Sequence, residues 1–208
     1  MISKSIKNAV IFGCEGPRLT EVEFNFFKET LPFGFILFSR NIVNAKQVNE
    51  LCQSLRDAVG WYAPILIDQE GGRVQRINSP LALDRLPPLD EAQKAGQNAK
   101  SIFKLRFSEI ANELLSLGID FNCAPVLDIA RPTTHRFLRN RCYGVNKSDV
   151  ISLGRVAYDA LKSNGVFPII KHMPGHGCAS HDSHFELPVV KASKEELLAN
   201  DFAVFKAF

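Results

Sequence analysis

The stretch NGVFPIIKHMPGH, residues 164–176, decides how the chain is read. Before it, Val150, Leu153, Val156, Ala157 and Leu161 recur at helical spacing and make one apolar stripe. Gly165 then supplies the left-handed residue that ends a helix, and the next apolar residue begins a strand. Residues 166–170 are apolar throughout, which predicts a strand buried on both faces, as in a parallel sheet. Pro174, Gly175 and Gly177 forbid continuation as strand or helix. Lys171 and the histidines after it therefore belong on a loop leaving the carboxyl end of a buried strand, where α/β enzymes place polar groups.

The same punctuation recurs upstream. Leu117-Gly118-Ile119 ends another helical stripe, formed by Ile102, Phe103, Ile110, Leu114 and Leu117, and a third stripe runs through Val48, Leu51, Cys52, Leu55 and Val59. Short apolar runs bounded by turn residues predict strands over residues 9–13, 34–38, 64–68 and 120–126. Thr20-x-x-Glu23 and Ser193-x-x-Glu196 are spaced as capping boxes, and the second predicts one helix over 193–208 with Leu197, Leu198, Phe202, Phe205 and Phe208 as its apolar face. Alternating strands and helices make an α/β chain, either a (β/α)8 barrel or a doubly wound sheet. Five strands fall short of the eight of a closed barrel. No linker interrupts the pattern, so residues 1–208 read as a single domain, either a smaller doubly wound sheet or part of a barrel.

Composition narrows the function classes. The 208 residues are 46% hydrophobic and 23% charged, with 25 basic against 22 acidic side chains and no run of either sign. That balance predicts no nucleic-acid partner. Five widely spaced cysteines without a CxxC pair are expected to be reduced thiols in a cytoplasm. The apolar stretch at residues 9–14 is too short for a membrane span or a signal peptide, so no membrane association is expected.

Polar groups recur just past the strand ends. After the third strand come Asp68, Glu70, Arg73 and Arg76 around Gly71-Gly72. After the fourth come Asp128 and then Arg136, Arg139 and Arg141. After the fifth come Lys171 and the histidine loop, KHMPGHGCASHDSHFELP. A barrel brings these loops to one face, and mixed carboxylates, forked arginines and a lysine suit a polyhydroxylated ligand. Each group has a plainer reading as a turn or a surface charge, and Gly13-x-x-Gly16 lacks the Lys-Ser/Thr of a phosphate loop. The histidine loop itself admits three readings. Zinc ligation is one, although Pro174 and Gly175 exclude the helical HExxH arrangement. A structural role for the imidazoles is another. The third is an acid/base dyad in which Asp182 accepts the ring N–H of His184 and fixes its tautomer.

The segments IDQEGGRVQR (67–76), FNCAPVLDI (121–129), NRCYG (140–144) and KHMPGHGCASHDSH (171–184) closely resemble the β-N-acetylglucosaminidases of glycoside hydrolase family 3, bacterial cytoplasmic enzymes of peptidoglycan recycling. The resemblance implies a (β/α)8 barrel, present here as its first five strand-helix units and part of the next. It implies that Asp68, Arg76, Arg141, Lys171 and His172 bind the terminal N-acetylglucosamine, that His184 is the general acid/base, and that Asp182 is its partner. Met173 stands where the family more often has phenylalanine. The family's nucleophile, an aspartate on a later strand, has no counterpart in these 208 residues, so the chain alone is expected to be truncated, inactive and poorly stable. The implied reaction is retaining hydrolysis of terminal β-linked N-acetylglucosamine from muropeptides, a carbohydrate substrate, with no cofactor and no metal. The alternatives are a catalytically inactive sugar-binding remnant and a metal-dependent barrel hydrolase.

Overall fold

The computed structural model describes residues 8–179 and 187–208. In chain order these form β1 (Asn8–Phe12), α1 (Glu21–Thr30), β2 (Pro32–Leu37), α2 (Ala45–Val59), β3 (Ile65–Ile67), a hairpin of β4 (Gln69–Gly71) and β5 (Val74–Gln75), α3 (Pro88–Ala95), α4 (Ala99–Ser116), β6 (Phe121–Asn122), α5 (Arg136–Arg139), α6 (Lys147–Ser163), β7 (Phe167–Pro168), α7 (Lys194–Ala199) and α8 (Asp201–Lys206). β1, β2, β3, β6 and β7 pair in that order, and every pair is parallel. Sequential parallel strands joined by helices are the opening part of a barrel, an α/β fold.

Local chemistry sets the ends of the helices. Thr20 Oγ1 accepts from the Glu23 N–H at 3.2 Å and the Glu23 carboxylate accepts from the Thr20 N–H at 3.0 Å, so the capping box starts α1. Gly118 and Gly165, with φ of 77° and 88°, turn the chain from α4 into β6 and from α6 into β7. The apolar faces of α2, α4 and α6 cover the sheet. Phe103 and Phe107 of α4 close on Tyr143 at ring distances of 5.1 and 5.9 Å, and all three are buried. Each such side chain stabilises the fold by roughly 1.5–3 kcal/mol through lost water contact. Phe107, absent from the predicted stripe, is fully buried, while Ile102 is half-buried.

Four expectations need correction. The strand expected over 166–170, buried on both faces, pairs regularly only at Phe167–Pro168 and leaves Phe167 exposed. The strand predicted over 120–126 pairs regularly only at Phe121–Asn122, with a further isolated bridge from Val126 to Lys171. Pro125 has no N–H to donate, and the Ala124 N–H turns back to the Asn122 carbonyl at 2.8 Å. Residues 68–76, read as loop, contain the antiparallel hairpin. The helix expected over 193–208 is broken at Asn200, whose φ of −119° and ψ of −84° leave the helical region. Ser193 does cap α7, accepting from the Glu196 N–H at 3.1 Å. Beyond the break, Asp201 is drawn under Arg131, whose guanidinium grips it at 3.0 and 2.6 Å, and Leu198 is left exposed. No described helix is long and apolar enough to cross a membrane.

Candidate active site

The site begins where β3 ends. Asp68 leaves the strand, and β4 and β5 fold back as a hairpin whose shape is set by amide side chains. Gln69 Oε1 accepts from the N–H groups of Arg76 and Ile77 at 2.9 and 3.1 Å. Asn122 of β6 exchanges two 3.0 Å hydrogen bonds with the Gln69 backbone. At the turn a Cβ on Gly71 would lie 2.1 Å from Arg106 Nη2, and φ there is +88°, so glycine is required on both counts. Arg106 uses the space to donate to the Glu70 carbonyl at 2.6 Å. The hairpin thus turns the Glu70 side chain inward, fully buried.

Two buried carboxylates organise everything above them. Glu70 accepts a bidentate pair from Arg141, at 2.9 Å from Nε and 2.8 Å from Nη2, and meets Lys171 Nζ at 2.5 Å. Asp128, equally buried, accepts from His172 Nδ1 at 2.6 Å and from the His176 N–H at 2.6 Å. Arg141 Nη2 lies 3.3 Å from His172 Nε2. A guanidinium can only donate, so this geometry assigns the His172 proton to Nδ1 and leaves Nε2 as acceptor. Lys171 also reaches Asp68 at 2.7 Å, and Arg76 Nη2 stands 3.4 Å from the other Asp68 oxygen. Burial pushes the Asp68 carboxyl up, but Lys171 and Arg76 outweigh it and hold the group below the usual carboxylate range. Burial likewise opposes the charge on Arg141, and the Glu70 pair more than restores it. Cys123, just past β6, lines the same space as a half-buried thiol pushed up to about 11 by burial and then by Asp68.

The stem of the histidine loop is clamped to the loop after β6. Thr134 Oγ1 donates to the Gly177 carbonyl at 2.6 Å, and Asp201, held by Arg131, packs on Gly175, where a Cβ would come within 2.7 Å of the aspartate Cβ. The Cys178 thiol donates to Asp201 at 3.4 Å.

The structure therefore brings Asp68, Arg76, Arg141, Lys171 and His172 into one cluster in which each touches a neighbour. His184 and Asp182, the candidate acid/base and its partner, lie outside the described residues. Arg139 bonds to the Arg131 carbonyl and Arg136 stays exposed, so neither joins the cluster. At Gly13-x-x-Gly16 the Cys14 and Gly16 carbonyls face Asn41 Nδ2 at 3.2 and 2.8 Å, an arrangement of acceptors rather than an anion cradle. Among the described residues no group of three or more His, Cys, Asp or Glu side chains could hold a metal. Sequence reasoning named Glu70 and Asp128 without seeing that they anchor the cluster. Three carboxylates, Asp68, Glu70 and Asp128, face three cations, Arg76, Arg141 and Lys171, so the charges balance. Donors and acceptors mixed without net charge suit a neutral polyhydroxylated ring.

Comparisons with known proteins agree. The family model described as the glycosyl hydrolase family 3 N-terminal domain matches residues 12–208. A beta-hexosaminidase of Haemophilus influenzae is 31% identical over 201 residues, covering 96% of this chain and 56% of that protein. One from Psychromonas ingrahamii is 33% identical over 200 residues, covering 95% and 58%. Native NagZ from Neisseria gonorrhoeae superposes with a TM-score of 0.89 at 30% identity over 97% of this chain and 59% of that one. The same protein has been solved in complex with N-trifluoroacetyl-D-glucosamine. The chain thus spans only 56–59% of the length of these relatives.

Proposed function

The chain belongs to glycosyl hydrolase family 3, and from that premise we propose that the whole protein is a retaining β-N-acetylglucosaminidase that removes terminal N-acetylglucosamine from muropeptides in the cytoplasm, as part of peptidoglycan recycling. The observation that carries this reading is the cluster itself: Asp68, Arg76, Arg141, Lys171 and His172, all tied by hydrogen bonds of 2.5–3.4 Å to one another or to Glu70 and Asp128. Asp68, ionised at neutral pH, accepts from sugar hydroxyls, while Lys171 and the two arginines donate. His172, a third exposed at its side chain, has both ring nitrogens engaged, by Asp128 and Arg141, so its part would be to hold Arg141 in place and to offer the remaining face of its ring to the sugar. Because the partners are fixed before the sugar arrives, little ordering is required on binding. A relative's complex with an N-acylated glucosamine supports the substrate class.

His184, oriented by Asp182, would protonate the leaving oxygen while an aspartate from another part of the protein attacks the anomeric carbon, and would then activate water. The test is hydrolysis of N-acetylglucosaminides by the full-length protein and its His184→Ala variant. The variant should be slower by about 10²–10⁴-fold on a substrate with a poor leaving group, and less impaired where the leaving group needs little protonation. Near-normal turnover of the poor-leaving-group substrate would remove His184 from the mechanism. Binding without turnover by the intact protein would place it with sugar-binding remnants instead.

A further inference from the structure

Of the three carboxylates in the cluster, Asp128 alone meets no arginine or lysine among the described residues. Asp68 and Glu70 are taken up by Lys171, Arg76 and Arg141. The two oxygens of Asp128 go elsewhere, Oδ2 to His172 Nδ1 and Oδ1 to the backbone N–H of His176, each at 2.6 Å. One side chain therefore holds both the histidine that backs Arg141 and the root of the histidine loop. Backbone pairing brings it there. Val126 bridges to Lys171 and the Leu127 N–H donates to the Lys171 carbonyl at 2.7 Å, which sets residue 128 alongside residue 172. The loop also presses onto the next residue, so closely that a Cβ on Gly177 would lie 2.1 Å from the Ile129 carbonyl oxygen. Asp128 has no exposed surface, so water cannot take over a bond that is lost there.

We propose that Asp128 is a positioning residue that ties the sugar-binding cluster to the histidine loop, so that one carboxylate sets both the His172–Arg141 contact and the posture of the loop root. The inference rests on the β-N-acetylglucosaminidase reading and adds to it how the binding half and the proton-transfer half are kept in register. The chemistry requires an acceptor at both ends. His172 keeps its proton on Nδ1 because Nε2 faces the donor Arg141 Nη2 at 3.3 Å, and the His176 backbone N–H can only donate. A carboxylate satisfies both, whereas an amide offers one acceptor and one donor. In Asp128→Asn, an oxygen kept on His176 turns the NH2 group toward Nδ1 and drives the His172 proton to Nε2, against Arg141. An oxygen kept on His172 sets the NH2 group against the His176 N–H. One arm fails in either orientation.

The test uses the full-length protein. NMR of the histidine ring nitrogens, with His172 assigned by its loss in His172→Gln, should show the wild-type ring protonated on Nδ1 and bare on Nε2. In Asp128→Asn either that proton moves to Nε2 or the His176 amide exchanges its hydrogen faster, by about tenfold or more. The kcat/KM on an N-acetylglucosaminide should fall by about 10–100-fold, the worth of hydrogen bonds to a charged group. The kinetic split must follow the arm that fails. A proton on Nε2 disturbs Arg141, which grips the sugar throughout, and should raise KM; a freed loop root should lower kcat with KM nearly kept. A merely structural carboxylate would produce no such correspondence. A wild-type His172 protonated on Nε2 would overturn the assignment without recourse to any variant. An Asp128→Asn enzyme with both arms intact, or with kinetic losses unrelated to the failed arm, would overturn it as well, and the hydrolase reading would stand. Absence of hydrolysis by the wild type would refute that reading instead, while the ring proton and the amide exchange would still decide whether Asp128 joins the two segments.

Discussion

Replacing Glu70 by glutamine removes the charge on which the cluster is built while keeping its volume. Glu70 holds three charge-assisted contacts, two from Arg141 and one from Lys171. The two cations do not suffer equally. Lys171 keeps Asp68 at 2.7 Å, whereas Arg141, with a side chain only 9% exposed, is left with His172 Nε2 and no carboxylate. The amide of glutamine would also set a donor against one of the two cations. The loss is therefore that of one unpaired buried cation, about 3–5 kcal/mol. Urea unfolding of the full-length protein measures it, as a fall in the midpoint without a change in slope. A companion variant, Glu70→Leu with Arg141→Met, removes both members of the bidentate pair and should recover more than half of that loss, since Lys171 stays compensated. The reasoning fails if Glu70→Gln costs less than about 1 kcal/mol, the range of an exposed pair. It fails also if the double variant is no more stable than the single one.

Two further outcomes follow from the same geometry. Lys171→Ala or Arg141→Ala should weaken N-acetylglucosamine binding by roughly 1.5–3 kcal/mol, the range for hydrogen bonds to charged groups, and calorimetry would show it. A chelator should leave that affinity unchanged, and a loss restored by zinc would favour the metal-dependent hydrolase. Asp68, held below its ordinary range, contributes stability that is present above the unfolded value near ~3.9 and is lost as pH falls through the lower folded value. Stability curves for wild type and Asp68→Asn should therefore run parallel between about pH 5 and 8 and converge only on the acid side of pH ~4. Convergence already at neutral pH would contradict the downward shift.

What could be read from the sequence depended on which force shapes each segment. The five parallel strands and the stops at Gly118 and Gly165 were legible because apolar runs and a positive-φ glycine are local signals. The hairpin over 69–75 was not, because it is polar and is held by the Gln69 and Asn122 amides instead of an apolar alternation. The apolar positions beyond Ser193 continue at helical spacing, yet the ion pair of Asp201 with Arg131, 70 residues away in sequence, accompanies a break at Asn200 that no local pattern contains. Asp68, Arg76, Arg141, Lys171 and His172 could be singled out by motif and strand-end position. Glu70 and Asp128 carry the same letters whether buried or exposed, so their place beneath the cluster became visible only in three dimensions. The hint at Glu70 was the Gly71-Gly72 pair beside it, since such a pair allows another group to come close, here Arg106.

The clamp of Arg131, Asp201 and Gly175 also bears on how the protein can change over generations. Asp201 belongs to an outer helix, yet its side chain fills the space that a methyl group on residue 175 would need, and its charge is matched by a residue on a third segment. A substitution at any one of the three leaves either an unpaired buried charge or a clash at the root of the histidine loop. Lineages of this protein should thus tolerate exchange at these positions only in concert, and a drifting α8 would carry the loop with it.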